Sequence, residues 1–536
     1  ALGLARLYAF RLQIGPASAK SIVKRAQPLN EESLERFYSI EGLQLRVVLF
    51  SSDFDLLETE KTLRLPRPPE ESEELSFALR TPKEEGRASL RACVYFRGNL
   101  LQSLHVHAWI TTTAGRLHRV GNEAIVDFAL TSSFVDLEEL PDRAVCFASN
   151  QDDSTNSFFV HGENLTRKIN LENLAGGVAD ARKTLTKVCA GDDLEKPRYQ
   201  FGADNLGTTA KFIESAIGLA RMGSSLYVNF VTRGQDRKFE DDLQTALAKP
   251  STIQVAVTRE ASHVFPWALV YDKRLVQGNN TVCPQFLADL KAGAPLDAQT
   301  CLVNGCRDVN PNVVCPSAFW GFRHVVEQPL SIEEPSGAGA TNIVLTIPRT
   351  NPVPCLVGVS QELPYVGDHK TELTAISGVT IDYKDSKVDI GTGLQRRDVS
   401  IVYFYCHGGR TSSQAWLGVG KKEQLFPADL HGWKVDWPTV HPLVFINGCN
   451  TVAITPDDLL PFNRMLAWSR AAGVIGTEIQ IPEDLAREFG RGFLVAFIAG
   501  QTAGAAIRAL RLKLLQKYNP LGLAYTLYCS ADLRLN

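Results

Sequence analysis

The C-terminal two thirds of the chain alternates strand-like and helix-like patterns of apolar residues. Short β-branched and aromatic runs are followed by stretches in which apolar residues recur at helical spacing. The predicted strands are 225–231, 252–257, 399–405, 443–446 and 473–477, and the predicted helices are 208–222, 239–247, 462–472, 483–498 and 503–517. Because this alternation is typical of a mostly parallel sheet flanked by helices, it predicts one α/β unit over residues 196–536.

The region before this unit follows a different pattern. Residues 90–96 and 104–110 alternate apolar and polar side chains, which is typical of half-buried strands. Strands and turns at this spacing predict a β-sandwich-like domain over residues 41–195, with a regulatory or interaction role. Residues 1–40 are an N-terminal segment that the pattern leaves unassigned.

Composition narrows the class of protein. A formal net charge of −3 argues against a direct nucleic-acid binder that depends on a large basic face. No stretch reaches the ~18 uninterrupted apolar residues of a membrane span, and the first residues lack the order of a signal peptide. Eleven cysteines in a chain of 536 residues suit a reducing cytosol better than a disulfide framework, so we expect a cytoplasmic location.

Two of the predicted strands lead into residues that can carry out nucleophilic chemistry. The first leads into Cys-His-Gly-Gly, which contains His407, and the second into Asn-Gly-Cys, which contains Cys449. Ligands of open parallel sheets bind beyond the carboxyl ends of the strands, so both side chains face one crevice if the strands are neighbours. The imidazole can then take the thiol proton. The backbone N–H groups of Gly408 and Cys449 are the candidates for an oxyanion hole.

The same motifs resemble a known family. Tyr-Phe-Tyr-Cys-His-Gly-Gly, Leu-Val-Phe-Ile-Asn-Gly-Cys-Asn-Thr and Gly-Val-Ile-Gly-Thr-Glu are similar to the motifs of CHAT domains, and residues 265–272 are similar to the proline-tryptophan strand of that family. CHAT domains are caspase-like cysteine peptidases of the clan that includes caspases, separase and gingipains. The resemblance implies a caspase-like fold, with His407 as general base and Cys449 as nucleophile. The alternative is that both side chains are structural, as most His and Cys residues at strand ends are.

The resemblance also implies a pocket for the residue before the scissile bond. In this clan an acidic side chain in that pocket selects Arg or Lys. The candidates for this carboxylate are Glu478, Glu483, Asp484, Asp457 and Asp458. Alternatively, Glu483 and Asp484 only stabilise the N-terminus of the following helix, where carboxylates are favoured by the helix dipole.

Four cysteines fall within a loop-rich insertion at about residues 280–320: Cys283, Cys301, Cys306 and Cys315. Four thiolates that lie close together can bind a structural zinc ion, and the ion then stabilises a segment that lacks a hydrophobic core of its own. The spacing is irregular and contains no Cys-x₂-Cys pair. Independent buried thiols, or an adventitious disulfide, are therefore the alternative.

The expected function is a cysteine endopeptidase that cleaves a specific protein partner and needs no cofactor for catalysis. The resemblance implies a role in a bacterial immune or conflict system, where an activating sensor or regulatory protein releases the peptidase against a pore-forming or other effector. Unrestrained cytosolic proteolysis is harmful, so we expect the activity to be gated, and residues 357–397 are a candidate lid. Two rivals stay open: a catalytically silent caspase-like adaptor, and a thiol-dependent acyltransferase.

Overall fold

The computed structural model describes most of the chain in two compact units. The described residues are 1–15, 21–23, 42–66, 71–112, 122–131, 137–152, 155–192, 199–202, 209–276, 278–298, 300–331, 343–411, 414–448 and 456–536. The N-terminal unit holds Ala1–Asn170 and Ala256–Ala261. The C-terminal unit holds Leu171–Val255, Ser262–Glu333 and Val344–Asn536.

The N-terminal unit is built from β-strands. Its strands are β1 Leu2–Gly3, β2 Leu7–Leu12, β3 Leu43–Phe50, β4 Asp55–Leu56, β5 Glu60–Leu65, β6 Leu75–Arg80, β7 Gly86–Phe96, β8 Asn99–Thr111, β9 Glu123–Ala129, β10 Val145–Asp152, β11 Thr155–Gly162 and β12 Leu165–Leu171. One sheet has the order β1-β8-β7-β3-β5, with β9 also paired to β8, and β2-β6-β4 form a second sheet. Strands β10 and β11 form an antiparallel hairpin. The described residues of this unit are thus rich in β-strands; the domain bounds 41–195, the sandwich arrangement and the regulatory role stay predictions.

Burial in this unit differs from the half-buried pattern that the sequence indicated. All residues from Leu90 to Phe96 of β7 are buried, including the charged Arg91. Strand β7 lies between β3 and β8 in the sheet, and both of its faces are covered. The polar residue in this alternating pattern, Arg91, therefore makes a buried polar contact and does not face solvent.

The C-terminal unit contains the helices and a long sheet. Its strands are β13 Thr252–Val257, β14 Thr281–Val282, β15 Val313–Val314, β16 Val325–Glu327, β17 Thr346–Ile347, β18 Val353–Val359, β19 Val379–Lys384, β20 Ile401–Arg410, β21 Ala415–Val419, β22 Glu423–Leu425, β23 Leu443–Gly448, β24 Gly473–Thr477, β25 Tyr525–Cys529 and β26 Arg534–Leu535. Its helices are α1 Leu174–Ala190, α2 Thr209–Leu226, α3 Arg237–Ala246, α4 Pro284–Ala292, α5 Thr300–Asn304, α6 Trp320–Arg323, α7 Val366–Thr374, α8 Lys387–Leu394, α9 Pro427–Gly432, α10 Pro456–Trp468, α11 Glu483–Ile498 and α12 Ala503–Gln516.

The central sheet of this unit is mostly parallel, as the sequence predicted. Its order is β13-β16-β25-β24-β23-β20-β18-β19, and only the β24–β25 pair within this run is antiparallel. Helices cover both faces. On one face, Val402 and Val444 pack with Leu394 of α8 and Leu466 of α10. On the other face, the Phe445 ring lies 5.4 Å from that of Phe493 in α11.

Two predicted strands of the C-terminal unit are wrong. Residues 225–231 continue helix α2 and end in the π-helical turn Tyr227–Val231. Buried residues in this stretch recur in adjacent pairs one helical turn apart. In the sequence, an apolar run this short fits a strand as well as a helix. Residues 265–272 contain the 3₁₀ turn Trp267–Leu269 instead of a strand, and the Trp267 ring stacks 6.1 Å from that of Trp320.

The proposed lid over residues 357–397 is also wrong. This segment contains the end of β18, helix α7, strand β19 and helix α8, and β19 pairs with β18 in parallel. The sequence of this segment is polar and contains several glycines because its helices and its strand are short and half-exposed at the edge of the sheet. The segment is therefore an integral part of the sheet and its helical layer.

Among the described residues, no helix has both the length and the apolar character needed to cross a bilayer.

Candidate functional site

The strands that carry the two predicted catalytic motifs are neighbours. Strands β20 and β23 pair in parallel, with Tyr405 opposite Asn447 and Cys406 opposite Gly448. His407 is the residue after Cys406, and Cys449 is the residue after Gly448. Cys449 lies outside the described residues, so its pairing with His407 stays a prediction. The expectation that the two strands lie side by side is confirmed.

Strand β20 does not end at the histidine, as the sequence suggested. It leaves the parallel sheet after Cys406 and continues to Arg410 as one strand of an antiparallel hairpin with β21. His407 lies opposite Gly418 in this hairpin, and Gly408 opposite Leu417. The extra length explains how an apolar strand can present a half-buried histidine beyond the edge of its sheet neighbours.

The glycine at 409 has a packing role in this hairpin. A Cβ atom at Gly409 would lie 2.1 Å from the indole ring of Trp416, the residue opposite it. No side chain fits at that distance, so the ring requires glycine there. Gly409 thus has a packing role that the sequence did not indicate, whereas the oxyanion role of Gly408 stays a prediction.

The two faces of strand β20 differ in chemistry. Val402, Phe404 and Cys406 belong to the apolar core on one face. Burial raises the pKa of the Cys406 thiol to about 12, so this neighbour of the histidine is unreactive at neutral pH. The alternate residues Tyr403 and Tyr405 face the side covered by α7 and α11. His407 follows in that second series because successive strand residues point to opposite faces.

A buried hydrogen-bond network holds the end of strand β23 on this second face. The Asn447 side-chain amide donates to the Tyr403 hydroxyl at 2.9 Å and to the Ala486 carbonyl of α11 at 2.7 Å. Its carbonyl oxygen accepts from the Tyr525 hydroxyl at 3.2 Å. Sequence analysis did not identify this network; an asparagine directly after four apolar strand residues was the available signal. The network fixes the backbone two residues before Cys449.

Helices α7 and α11 complete the network. The Tyr403 hydroxyl lies 2.9 Å from Nε2 of His369 on α7. Burial, with a smaller contribution from Arg487, lowers the pKa of His369 to about 3, so a neutral imidazole shares a hydrogen bond with the tyrosine hydroxyl. A Cβ atom at Gly490 of α11 would lie 2.3 Å from the same hydroxyl. Glycine is therefore needed for α11 to pack this closely.

Among the pocket candidates, Glu478 is fully engaged in buried contacts. Its side chain is 1% exposed and lies 3.3 Å from Nε of Arg182 on α1. The Thr526 hydroxyl donates to its other oxygen at 2.7 Å. These partners, neither of which the sequence signalled, account for a carboxylate at this position without a substrate.

The other pocket candidates lie at helix N-termini. Glu483 and Asp484 form the first turn of α11, and both are half-buried. Burial, with a smaller effect from Asp484, raises the pKa of Glu483. The Tyr405 hydroxyl donates to the Glu483 carbonyl at 3.2 Å, so this turn lies on the face of β20 that precedes His407. Asp457 and Asp458 lie in the first turn of α10, and their side chains are outside the described set.

The four predicted zinc ligands converge. The sulfur atoms of Cys283, Cys301, Cys306 and Cys315 all lie within 4.8 Å of one another. Three of these residues are buried, and Cys306 is half-buried. The spacing looked irregular in the sequence because the thiols come from different elements that only the fold brings together.

Two short parallel strands place the first and last of these thiols. Strands β14 and β15 pair with each other, and Cys283 and Cys315 directly follow them. The Cys283 N–H donates to the Val314 carbonyl at 2.8 Å, and the Cys315 N–H donates to the Tyr271 hydroxyl at 2.9 Å. Cys301 lies on α5, and Cys306 in the loop after it. Hydrogen bonds between the thiols, from Cys301 first, lower the pKa of Cys306.

The chain is similar to a known family and to a named relative. The family model for the CHAT domain matches residues 346–522. A protein named as a probable protease, from Vitiosangium sp. (strain GDMCC 1.1324), is 32% identical over 584 aligned residues, which cover 98% of this chain and 74% of that protein. The chain therefore belongs to the CHAT-domain family of caspase-like proteins, which confirms the resemblance seen in the sequence.

Replacing Glu478 with glutamine tests its role. We expect Glu478→Gln to lower the free energy of unfolding by about 3–5 kcal/mol, because Arg182 would keep a buried charge without its partner. Glu483→Gln, at a half-buried position, is the matched control and should unfold at the wild-type temperature. Thermal and urea unfolding followed by circular dichroism measure both. A Glu478→Gln protein of unchanged stability that no longer cleaves after Arg or Lys would instead place Glu478 in a substrate pocket.

Proposed function

We propose that the chain is a cysteine endopeptidase in which Cys449 attacks the peptide carbonyl and His407 transfers the proton. The observation that carries this proposal is the parallel register of β20 and β23. Tyr405 and Asn447 lie opposite each other and face the same side of the sheet. Alternation extended by two positions predicts His407 and Cys449 for that same side.

The chemistry follows from this placement. The imidazole takes the thiol proton, the thiolate adds to the scissile carbonyl, and the amine leaves after it receives the proton from His407. Water then hydrolyses the acyl-enzyme with the histidine acting again as base. The N–H groups of Gly408 and Cys449 are proposed to hold the oxyanion. This scheme requires no cofactor.

For substrate selection we propose the first turn of α11. Glu483 and Asp484 lie beside the face that carries the catalytic residues, and the Glu483 backbone contacts Tyr405. Glu478 is less suited because Arg182 and Thr526 occupy its oxygens. A carboxylate of Glu483 or Asp484 would select Arg or Lys before the scissile bond. Asp457 and Asp458 remain the alternative source of this charge.

We also propose that the peptidase is gated by a protein partner in a bacterial immune or conflict system and cleaves an effector. The family match and the relative named as a probable protease support a peptidase; the gating and the immune role rest on the family resemblance. The β-rich N-terminal unit is a candidate for the contact with the activating sensor. The competing function is an adaptor whose His407 and Cys449 have lost their role.

The Cys283–Cys301–Cys306–Cys315 cluster is proposed to hold a structural zinc ion. Four sulfur atoms within 4.8 Å of one another can surround one tetrahedral ion at normal zinc–sulfur distances of about 2.3 Å. Four thiolates leave no open position for water, so the ion would stabilise the insertion and take no part in hydrolysis.

Labelling with a thiol-directed, activity-based electrophile separates the peptidase from the adaptor. We expect one labelled site in the wild type and none in Cys449→Ala. Cys406→Ala is the matched control, since its thiol is buried and has a pKa of about 12, and it should label as the wild type does. His407→Gln should slow peptide hydrolysis by about 10²- to 10⁴-fold. No labelling under any activating condition would support the adaptor.

Cleavage of a partner tests gating. The protein and its Cys449→Ala variant are co-expressed with the products of neighbouring genes, and the N-termini of new fragments are sequenced. Fragments are expected only with active Cys449 and only when an activating partner is present. Full cleavage of peptides by the isolated chain would contradict gating. A protein that labels but produces no fragments with any partner would point to an acyltransferase.

Metal content tests the thiolate cluster. We expect at least one zinc ion per chain by elemental analysis, and the loss of one zinc ion per chain with a lower melting temperature in Cys301→Ser and Cys306→Ser. Cys355→Ala, which changes a buried thiol on β18, should retain the metal. Wild-type protein that carries no zinc, and whose four thiols react freely with Ellman's reagent in the native state, would overturn the proposal.

A further inference from the structure

A second cluster of metal-binding side chains lies in the N-terminal unit, outside the proposed catalytic and thiolate sites. Arg91 of β7 lies opposite His105 of β8 in the antiparallel pair. Asp127 comes from β9, Asp152 from the end of β10, and Glu260 from the segment Ala256–Ala261 that belongs to the same unit. None of the predicted functions uses these residues.

A β-bulge turns Asp127 toward this cluster. In the β8–β9 pair, Ser103 lies opposite Phe128 and Leu104 opposite Val126, so Asp127 is an extra residue without an opposite partner. Bulges of this kind re-aim a side chain and are common beside functional sites. The Asp127 side chain is only 2% exposed. The strand thus breaks its regular register at the residue that buries a carboxylate.

The contacts of Asp127 leave one oxygen without a partner. Its Oδ2 accepts a hydrogen bond from Arg91, whose guanidinium also donates to Ser103 at 2.5 Å and to the Asn150 side-chain oxygen at 2.8 Å. Asp127 Oδ1 is buried and has no hydrogen-bond partner in the part of the chain that the structure describes. A buried carboxylate oxygen without a hydrogen-bond partner is destabilising, so a ligand at this position would be stabilising.

The imidazole of His105 lies between two further carboxylates. Its Nε2 is 3.4 Å from Asp152 Oδ1, and its Nδ1 is 3.5 Å from Glu260 Oε2. The ligand atoms of His105, Asp127 and Glu260 all lie within 4.8 Å of one another. A single ion of ordinary size can therefore contact all three residues.

The charges of the cluster also call for a cation. Asp127, Asp152 and Glu260 carry three negative charges, and Arg91 supplies one positive charge. The Lys168 ammonium, which Asp152 attracts, offsets one more. The carboxylates therefore outnumber the Arg91 and Lys168 cations by one, in a region where His105 and Asp127 are nearly inaccessible to solvent.

We propose that His105, Asp127 and Glu260 form a binding site for a divalent transition-metal cation of the Mn²⁺ or Zn²⁺ type. Imidazole nitrogen combined with carboxylate oxygens suits these ions, whereas an all-oxygen set would favour Ca²⁺ or Mg²⁺. The cation satisfies Asp127 Oδ1 and links the Ala256–Ala261 segment to strands β8 and β9. Arg91 holds Asp127 in place from the opposite oxygen and so acts as a positioning residue.

Manganese is the probe because thiolates bind it weakly, which separates this site from the cysteine cluster. The purified full chain is dialysed into metal-free buffer and titrated with Mn²⁺, and free Mn²⁺ is followed by electron paramagnetic resonance. One Mn²⁺ per chain is expected for the wild type and for Cys306→Ser. Loss of an outer-shell partner lowers metal affinity by about 10- to 100-fold. Glu260→Gln removes a direct ligand, so its affinity for Mn²⁺ should fall by more than that. Zn²⁺ added in excess of the cysteine cluster should displace the Mn²⁺.

Two further variants make the result decisive. Asp127→Asn should abolish binding, but it also deprives buried Arg91 of its counterion, so its fold is checked by circular dichroism. The Glu260 side chain is 45% exposed and its replacement leaves the Arg91–Asp127 pair intact, so Glu260→Gln carries the test if Asp127→Asn does not fold. The exposed Glu163→Gln is the control and should bind as the wild type does. Equal binding by wild type and Glu260→Gln overturns the site. No uptake of Mn²⁺ or of additional Zn²⁺ by the wild type overturns it too.

Discussion

The parallel pairing of β20 with β23 is the constraint on which the proposed catalytic site depends. The pairing fixes Tyr405 against Asn447 and Cys406 against Gly448, with one face of the pair in an apolar core. A register slip of one residue would turn Asn447 into that core and release its three hydrogen bonds. Two features therefore specify the same register. The apolar residues of the strands favour it because it buries them, and the Asn447 amide favours it through its hydrogen bonds.

Much of this arrangement could be predicted because it depends on local sequence. Strand β13 and helix α11 have the predicted bounds, since periodicity over six or more residues and a proline before the helix determine them. The stretch 225–231 was predicted incorrectly because its aromatic and β-branched residues suit a strand. In the structure it continues the preceding helix, and its buried residues have helical spacing. Short apolar runs carry no information on which neighbour will cover them.

The parts of the site that sequence could not predict depend on residues distant in the chain. Arg182 reaches Glu478 across 296 positions, and Tyr525 reaches Asn447 across 78. The carboxylate of Glu478 could be selected as a pocket candidate, but its partner could not be foreseen. Likewise, four cysteines could be grouped by proximity in sequence, whereas their convergence depends on the pairing of β14 with β15. Residue type suggests chemistry, and only the fold supplies the partners.

The absence of a side chain at Gly490 has a consequence for how helix α11 and strand β23 move. Helix α11 touches the Tyr403–Asn447 pair through bare backbone, and Ala486, one turn earlier, accepts a hydrogen bond from Asn447. The buried side chains of Tyr403 and Asn447 thus join helix α11 directly to strands β20 and β23. A displacement of α11 would therefore be expected to carry the end of β23 with it, so the proposed pocket and the proposed nucleophile would move together.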